Sequence, residues 1–62
     1  MRFKLTIKFE FHNTRRRREI HVNSYYGATR EEAERKAQGF VAWKNASGWE
    51  LTSSEVLVAE EV

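Results

Sequence analysis

The N-terminal segment RFKLTIKFEFH, residues 2–12, alternates apolar and polar residues without interruption, and this constrains the fold more than any other feature of the chain. Charged and polar side chains occupy one face of this segment. The other face is apolar and carries Phe3, Leu5, Ile7, Phe9 and Phe11. A period of two is typical of a β-strand that buries one face. The segment therefore predicts a half-buried strand.

A second alternating segment, REIHVNSYY, follows Asn13 and Thr14, and both of these residues favour turns. The two segments predict a β-hairpin. Its loop should hold an even number of residues, because a slip of one residue would turn the second apolar set into water. A four-residue loop, 13–16, meets this condition. It predicts pairs of Phe11 with Arg18, Phe9 with Ile20, Ile7 with Val22 and Phe3 with Tyr26.

The segment TREEAERKAQGFVAWKN predicts a helix after the hairpin. Thr29 and Glu32 form a capping box at its start, and Gly48 is suited to the left-handed residue that ends it. Its apolar stripe is narrow and begins with the small residues Ala33 and Ala37, so the helix can approach the sheet closely.

The last segment, GWELTSSEVLVAEEV, predicts a third strand, and the pattern is clearest over residues 55–60. The order is then β-β-α-β in a single small domain, residues 1–62. We predict an α+β fold with a three-stranded antiparallel sheet, order 2-1-3, and one helix packed on the Phe-rich face. The opposite face of the sheet is left open, and strands 2 and 3 are edges through which a homodimer could form.

Several classes of function lack the residues that they require. The chain has no cysteine, so it has neither a disulfide framework nor a thiolate nucleophile. The two histidines fall on different strands, the chain contains no aspartate, and no serine lies beside a base. We therefore predict a non-enzyme without catalytic residues, metal ligands or a cofactor. The absence of a long apolar run predicts a cytoplasmic protein that does not bind membranes, in the host cell if it is phage-encoded.

Charge is distributed unevenly along the chain. Residues 1–30 hold eight Lys and Arg against two Glu, a net charge of +6, whereas residues 31–62 hold three against seven, a net charge of −4. Such a division favours a surface that faces a polyanion, or contact between copies of the chain. The alternative is that the charges only solvate two faces of the domain.

On the open face, the predicted register places Lys4 beside Tyr25, Lys8 beside His21 and His12 beside Arg17. Cationic side chains can follow phosphates while a ring stacks on a base, which is how sheet surfaces hold single-stranded nucleic acid. These four residues, Lys4, Lys8, His21 and Tyr25, are therefore candidate nucleic-acid contacts. The alternative is that they are ordinary solvent-facing residues of a strand, which is the more frequent case for a ring flanked by lysines.

The run Arg15 to Arg18 provides planar guanidinium groups that match phosphate and carboxylate geometry. The predicted loop places Arg15 and Arg16 at the hairpin tip, Arg17 on the open face and Arg18 at the end of the inward face. We assign the first three to nucleic-acid binding. An alternative role is to keep the strand edge from aggregating, and the partner could also be an acidic protein surface.

Two tryptophans lie outside the predicted apolar stripe, Trp43 on the helix and Trp49 in the loop after it. They are expected to close the ends of the small core. If instead they are exposed with Leu57 and Ala59, they form an apolar patch for a protein partner or a second copy. The candidate residues for such a partner are Arg18, Trp43, Trp49 and Leu57.

The hairpin followed by ATREEAERKA resembles the arm-site DNA-binding domains of phage-type integrases over about residues 3–44. Those domains have a small basic sheet before a helix that opens with threonine. They place three strands before the helix, whereas here the third follows it, so the resemblance does not imply insertion of the sheet into a groove. The compact basic chain with an acidic tail also resembles small phage accessory proteins, many of which bind and inhibit a host protein. The two hypotheses are thus a nucleic-acid-binding module and a protein that binds and modulates a host protein.

Overall fold

The structure, a computed structural model, describes all residues from Met1 to Val62. It contains β1 (Phe3–His12), β2 (Arg18–Gly27), α1 (Arg30–Ala46) and β3 (Glu50–Glu61). The strands form one antiparallel sheet of order β2-β1-β3, with the helix on one face. The predicted α+β fold and its strand order are confirmed. β3 occupies most of the segment GWELTSSEVLVAEEV that predicted it, and it extends beyond residues 55–60, where the pattern was clearest. α1 lacks the length and apolar character needed to cross a membrane.

The core lies between the Phe-rich face of β1 and α1. Leu5 is 1 % exposed and Phe11 is fully buried. The helix contributes Ala33 and Ala37, whose small side chains let it lie close to the sheet. The buried apolar residues are Leu5, Ile7, Phe9, Phe11, Ala33 and Ala37. The alternation of the N-terminal segment therefore identified the main side of the core.

Both ends of α1 are capped at the predicted residues, but only half of the predicted capping box forms, because the Glu32 carboxylate lies towards Lys36 and does not accept from the Thr29 amide. The Thr29 side chain accepts a hydrogen bond from the amide of Glu32 at 3.2 Å. At the other end Gly48 has a φ of 90°, and the amide of Trp49 donates to the carbonyl of Lys44 at 3.0 Å. This pattern is a Schellman motif. It brings Trp49 back over the last turn of the helix.

The hairpin loop differs from the prediction, because it contains five residues, 13–17, and not four. The amide of Arg16 donates to the carbonyl of Asn13 at 3.0 Å, and the amide of Asn13 donates to the carbonyl of Arg17 at 3.1 Å. Arg16 has a φ of 61°, in the left-handed region. These bonds describe a tight turn followed by a left-handed residue and a bulge, a common odd-numbered hairpin connection.

The odd loop reverses the facing of β2. Phe9 lies opposite His21, and Lys8 lies opposite Val22. As a result Ile20 and Val22, predicted to join the core, lie on the open face, where they are 48 % and 56 % exposed. The predicted pairs of β1 with Arg18, Ile20, Val22 and Tyr26 are all wrong by one residue.

Gly27 explains why β2 takes this facing. It lies opposite Phe3 and is buried against the start of α1. A Cβ atom at this position would lie 2.7 Å from the Cβ of Glu32 and 2.9 Å from the amide nitrogen of Ala33. Because only glycine allows this approach, Gly27 faces the helix, and strand alternation then turns Glu19, His21, Asn23 and Tyr25 to the same side.

Candidate nucleic-acid interface

The structure separates the four sheet residues that were predicted to contact nucleic acid together. Lys4 and Lys8 lie on the open face, as predicted. His21 and Tyr25 lie on the helix side, where the Tyr25 ring packs edge-on against Phe9 with centroids 6.4 Å apart. Burial raises the pKa of Tyr25. The predicted placement of His21 and Tyr25 on the open face is therefore wrong, because it used the even-loop register. The aromatic residue opposite Lys4 on that face is Tyr26, whose ring centroid lies 4.5 Å from the Arg2 guanidinium.

The open face is also less basic than predicted, because β3 places acidic residues beside β1. Lys4 lies opposite Glu60, and Lys8 lies opposite Glu55. Glu10 accepts hydrogen bonds from the Arg18 guanidinium and from the Ser53 hydroxyl, both at 3.2 Å. Each lysine of this face thus has a carboxylate on the neighbouring strand. A polyanion would meet alternating charges there instead of a continuous positive surface.

Arg18 and Arg17 also lie differently from the prediction. Arg18 is opposite His12 on the open face and forms its ion pair with Glu10, so it is not at the end of the inward face. Arg17 belongs to the loop, where it is held by its backbone bonds to Asn13. The predicted pair of His12 with Arg17 is therefore replaced by His12 with Arg18.

The remaining arginines, Arg15, Arg16 and Arg17, form a feature that we call the arginine tip. All three are exposed. The five ion pairs of the structure include none of them. The side-chain oxygen of Asn13 accepts hydrogen bonds from the amides of Arg15 and Arg17, at 3.0 and 2.9 Å. An ordered turn therefore presents three guanidinium groups that are free of carboxylates.

Behind the arginine tip lies a polar cluster that the sequence analysis did not identify. The Lys44 ammonium donates to Glu19 Oε1 at 2.6 Å, and His21 Nε2 lies 2.9 Å from the same oxygen. Lys44 is only 7 % exposed. Its nitrogen lies 4.9 Å from the ring centroid of Trp49 and 5.7 Å from that of Trp43. The cluster ties the end of α1 to the start of β2.

The hydrogen bond from Lys44, followed by that from His21, lowers the pKa of Glu19. A lowered pKa in the folded state stabilises the fold at pH values above the unfolded pKa, about 4.3 for glutamate, and this contribution is lost as the pH falls through the folded pKa. We expect Glu19→Gln to lower the melting temperature at neutral pH. The difference from the wild type should shrink as the pH falls below about 4.

Thermal melts across this pH range test the role of Glu19. The matched control is Glu34→Gln, which removes a carboxylate whose ion pair with Arg30 is exposed on the helix surface. Exposed pairs contribute little, so this variant should melt close to the wild type at every pH. A Glu19→Gln curve that runs parallel to the wild-type curve down to acid pH would contradict the assignment.

The residues predicted for a protein partner do not form one patch. Trp43 is 63 % exposed, whereas Trp49 is half-buried over Lys44. Leu57 is exposed at an irregularity of β3, opposite the junction of Thr6 and Ile7. Trp49 and Leu57 are eight positions apart in the chain, about 26 Å along an extended strand. Trp49 therefore fulfils the expected role of closing the core, and Trp43 does not.

An apolar groove runs between α1 and β3, because the helix packs more closely on β2 than on β3. The groove has a volume of about 380 Å³. Its apolar lining comes from Ile7, Phe9, Ala37, Val41, Ala42 and Leu51. The groove is open to solvent along its length and contains only the carboxylate of Glu34 as a charged group. No three acidic or histidine side chains lie together in a way that could hold a metal ion.

No protein-family model matches this chain, and neither a curated protein nor a solved structure matches it at a significant level. The resemblance to integrase arm-site domains and to phage accessory proteins therefore stays a prediction.

Proposed function

We propose that this protein is a non-enzymatic binding module that binds nucleic acid through the arginine tip. The observation that carries the proposal is the set of three exposed guanidinium groups without carboxylate partners. Arginine forms paired hydrogen bonds with phosphate oxygens, and it retains its charge at every physiological pH. Three such groups in successive positions suit a chain of phosphates better than a single carboxylate.

The geometry of the turn supports this use. The bonds between Asn13 and the loop amides fix the backbone before a ligand arrives, which lowers the entropy lost on binding. Arg16 occupies a left-handed position that glycine or asparagine would adopt more readily. A turn selected only for stability would not need arginine there.

The proposed site is smaller than the sequence predicted. It leaves out Lys4 and Lys8, which have carboxylates on the neighbouring strand, and it leaves out His21 and Tyr25, which face the helix. The net charge of +2 is low for a nucleic-acid binder. The tip is nevertheless separate in sequence from the glutamates of α1 and of the end of β3, and a ligand held at the tip needs no contact with them.

A second candidate function is binding to a protein, as in a phage-type factor that modulates a host protein. The observation that favours it is the apolar groove between α1 and β3, together with exposed Val56 and Leu57 on the same strand. In this case the arginine tip would meet an acidic surface of the partner. The protein partner could also be a second copy of the chain. Such a homodimer would pair the free backbone N–H and C=O groups along the edge of β2 or β3.

Salt-dependent oligonucleotide binding tests the first proposal. If the tip neutralises three phosphates, the logarithm of the affinity for duplex DNA should fall by about 2.7 for each tenfold rise in salt. The variant Arg15→Gln/Arg16→Gly/Arg17→Gln removes the three charges, and its glycine suits the positive φ at position 16. We expect this tip variant to lose binding even at low salt, as measured by fluorescence anisotropy.

The matched control removes three positive charges from α1, in the variant Arg30→Gln/Arg35→Gln/Lys36→Gln. It has the same net charge as the tip variant, and it should keep most of the wild-type affinity. Equal binding by the tip variant and the wild type would refute the proposed site. The second candidate would be favoured if the wild type bound no oligonucleotide but retained a protein from nuclease-treated lysate, and if the tip variant did not retain that protein.

A further inference from the structure

We propose that the arginine tip and Trp43 form one site that selects single-stranded nucleic acid, in which an unpaired base stacks on the Trp43 indole while the arginines hold neighbouring phosphates. The inference rests on the proposed function of the tip. It adds a ligand class and a contact residue.

Trp43 lies at the same end of the molecule as the arginine tip. It belongs to the last turns of α1, and the next residue, Lys44, is bonded to Glu19 at 2.6 Å. Glu19 is two residues from Arg17, a distance of about 7 Å along a strand. The backbone bond from Asn13 to Arg17 extends the β1–β2 ladder by one step, so alternation brings Arg17 to the side of the sheet that carries Glu19 and the helix.

The Trp43 indole packs against the aromatic core on one side and is exposed to solvent on the other. Its ring centroid lies 6.1 Å from that of Phe40, which in turn packs on Phe11 at 5.9 Å. Despite these contacts the residue is 63 % exposed. A large ring that is held by the core and left open to water provides a firm platform for stacking.

The charges around Trp43 allow an anionic ligand to approach. The Glu19 carboxylate, which lies on this side of the sheet, already accepts hydrogen bonds from Lys44 and His21. Glu50, which also lies at this end, is opposite His12 in the register of β1 and β3 and therefore faces the open side of the sheet. A phosphate next to a base on Trp43 would thus lie on the side of the sheet that carries Arg17, whereas the Glu50 carboxylate faces the other side.

This arrangement selects single strands because the faces of bases in a duplex are covered by their neighbours. Only an unpaired base can offer its face to an indole, and such stacking tolerates any base. Duplexes would still bind through phosphate contacts with the tip. The site therefore predicts tighter binding of a single strand than of a duplex of the same length.

The test compares a thymidine dodecamer with a 12-base-pair duplex at one salt concentration, using the full chain. We expect Trp43→Ala to weaken single-strand binding about 5- to 150-fold, the range of one stacked base. Duplex affinity should change by less than about twofold. Trp43→Phe retains a ring and should retain most of the single-strand affinity, whereas Trp43→Leu, apolar without a ring, should not. In the wild type, the single strand should quench the tryptophan emission that Trp43→Phe removes.

Three outcomes separate this inference from the proposed function. If the tip variant loses binding while Trp43→Ala binds single strands like the wild type, the inference fails and the proposed function stands. Bound oligonucleotide that leaves the Trp43 emission unchanged would likewise overturn the inference, whatever the variants do. If the tip variant binds oligonucleotides as the wild type does, or if the wild type binds none, both fail.

Discussion

Replacing Leu5 with alanine should unfold a large part of the protein population. Leu5 is 1 % exposed at the centre of the core, and removal of such a leucine costs about 2 to 5 kcal/mol. A chain of 62 residues has a total stability of about 3 to 9 kcal/mol, at roughly 0.05 to 0.15 kcal/mol per residue. The stability lost in Leu5→Ala is therefore comparable to the total free energy of unfolding. Urea denaturation followed by circular dichroism measures it, and Ile7→Ala should behave similarly.

The matched control for Leu5→Ala is Val22→Ala. Val22 is 56 % exposed on the open face, so its truncation should change the free energy of unfolding by less than about 0.5 kcal/mol. With an even hairpin loop, Val22 would instead have been a core residue opposite Ile7. Equal destabilisation by the two substitutions would therefore contradict the observed register, and a cooperative melt unchanged by Leu5→Ala would contradict the core itself.

Local patterns in the sequence predicted those elements whose cause is also local. The alternation of residues 2–12 depends only on one face being buried, and the helix cap depends only on Thr29 and the amide of Glu32. The ends of α1 and the strand order followed from these signals. The hairpin register did not, because it depends on the parity of the loop. An arginine in a left-handed conformation at position 16 gives no sequence signal for the bulge.

The apolar residues of β2 supported the wrong register. Ile20 and Val22 suggested that even-numbered residues face the core, yet the observed core side carries Glu19, His21 and Tyr25. The informative residue was Gly27, since a glycine directly before a helix start is suited to close packing against that helix. Had its facing been used to set the register, the odd loop would have followed.

The candidate site shows the same division between local and distant causes. The arginine tip was predictable because consecutive arginines at a turn are exposed in any register. The carboxylates beside Lys4 and Lys8 were not predictable, because they depend on the register between β1 and β3. Two irregularities shift this register, one between Thr6 and Ile7 and one between Glu10 and Phe11. The pair of Lys44 with Glu19 joins residues 25 positions apart. Lysine and glutamate are usually exposed, so no signal in the sequence indicated that these two form a partly buried pair.

Gly27→Ala should destabilise the protein strongly, although it adds one methyl group. The new Cβ would lie 2.7 Å from the Cβ of Glu32 and 2.9 Å from the backbone nitrogen of Ala33. Both atoms belong to or adjoin the helix backbone, so rotation of a side chain cannot relieve the contact. The start of α1 must move away from β2, and overpacking of this kind costs about 1 to 3 kcal/mol. Chemical denaturation measures the change in the free energy of unfolding.

Gly39→Ala is the matched control for Gly27→Ala, and it should have the opposite sign. Gly39 lies in the interior of α1, and a Cβ atom there would meet nothing within 4 Å. Alanine is favoured over glycine in a helix by about 1 kcal/mol, so this variant should be more stable than the wild type. The same chemical change thus separates close packing from helix propensity. If Gly27→Ala were as stable as Gly39→Ala, β2 and α1 could not meet at Gly27, and the facing of His21, Tyr25 and Val22 would have to be reversed.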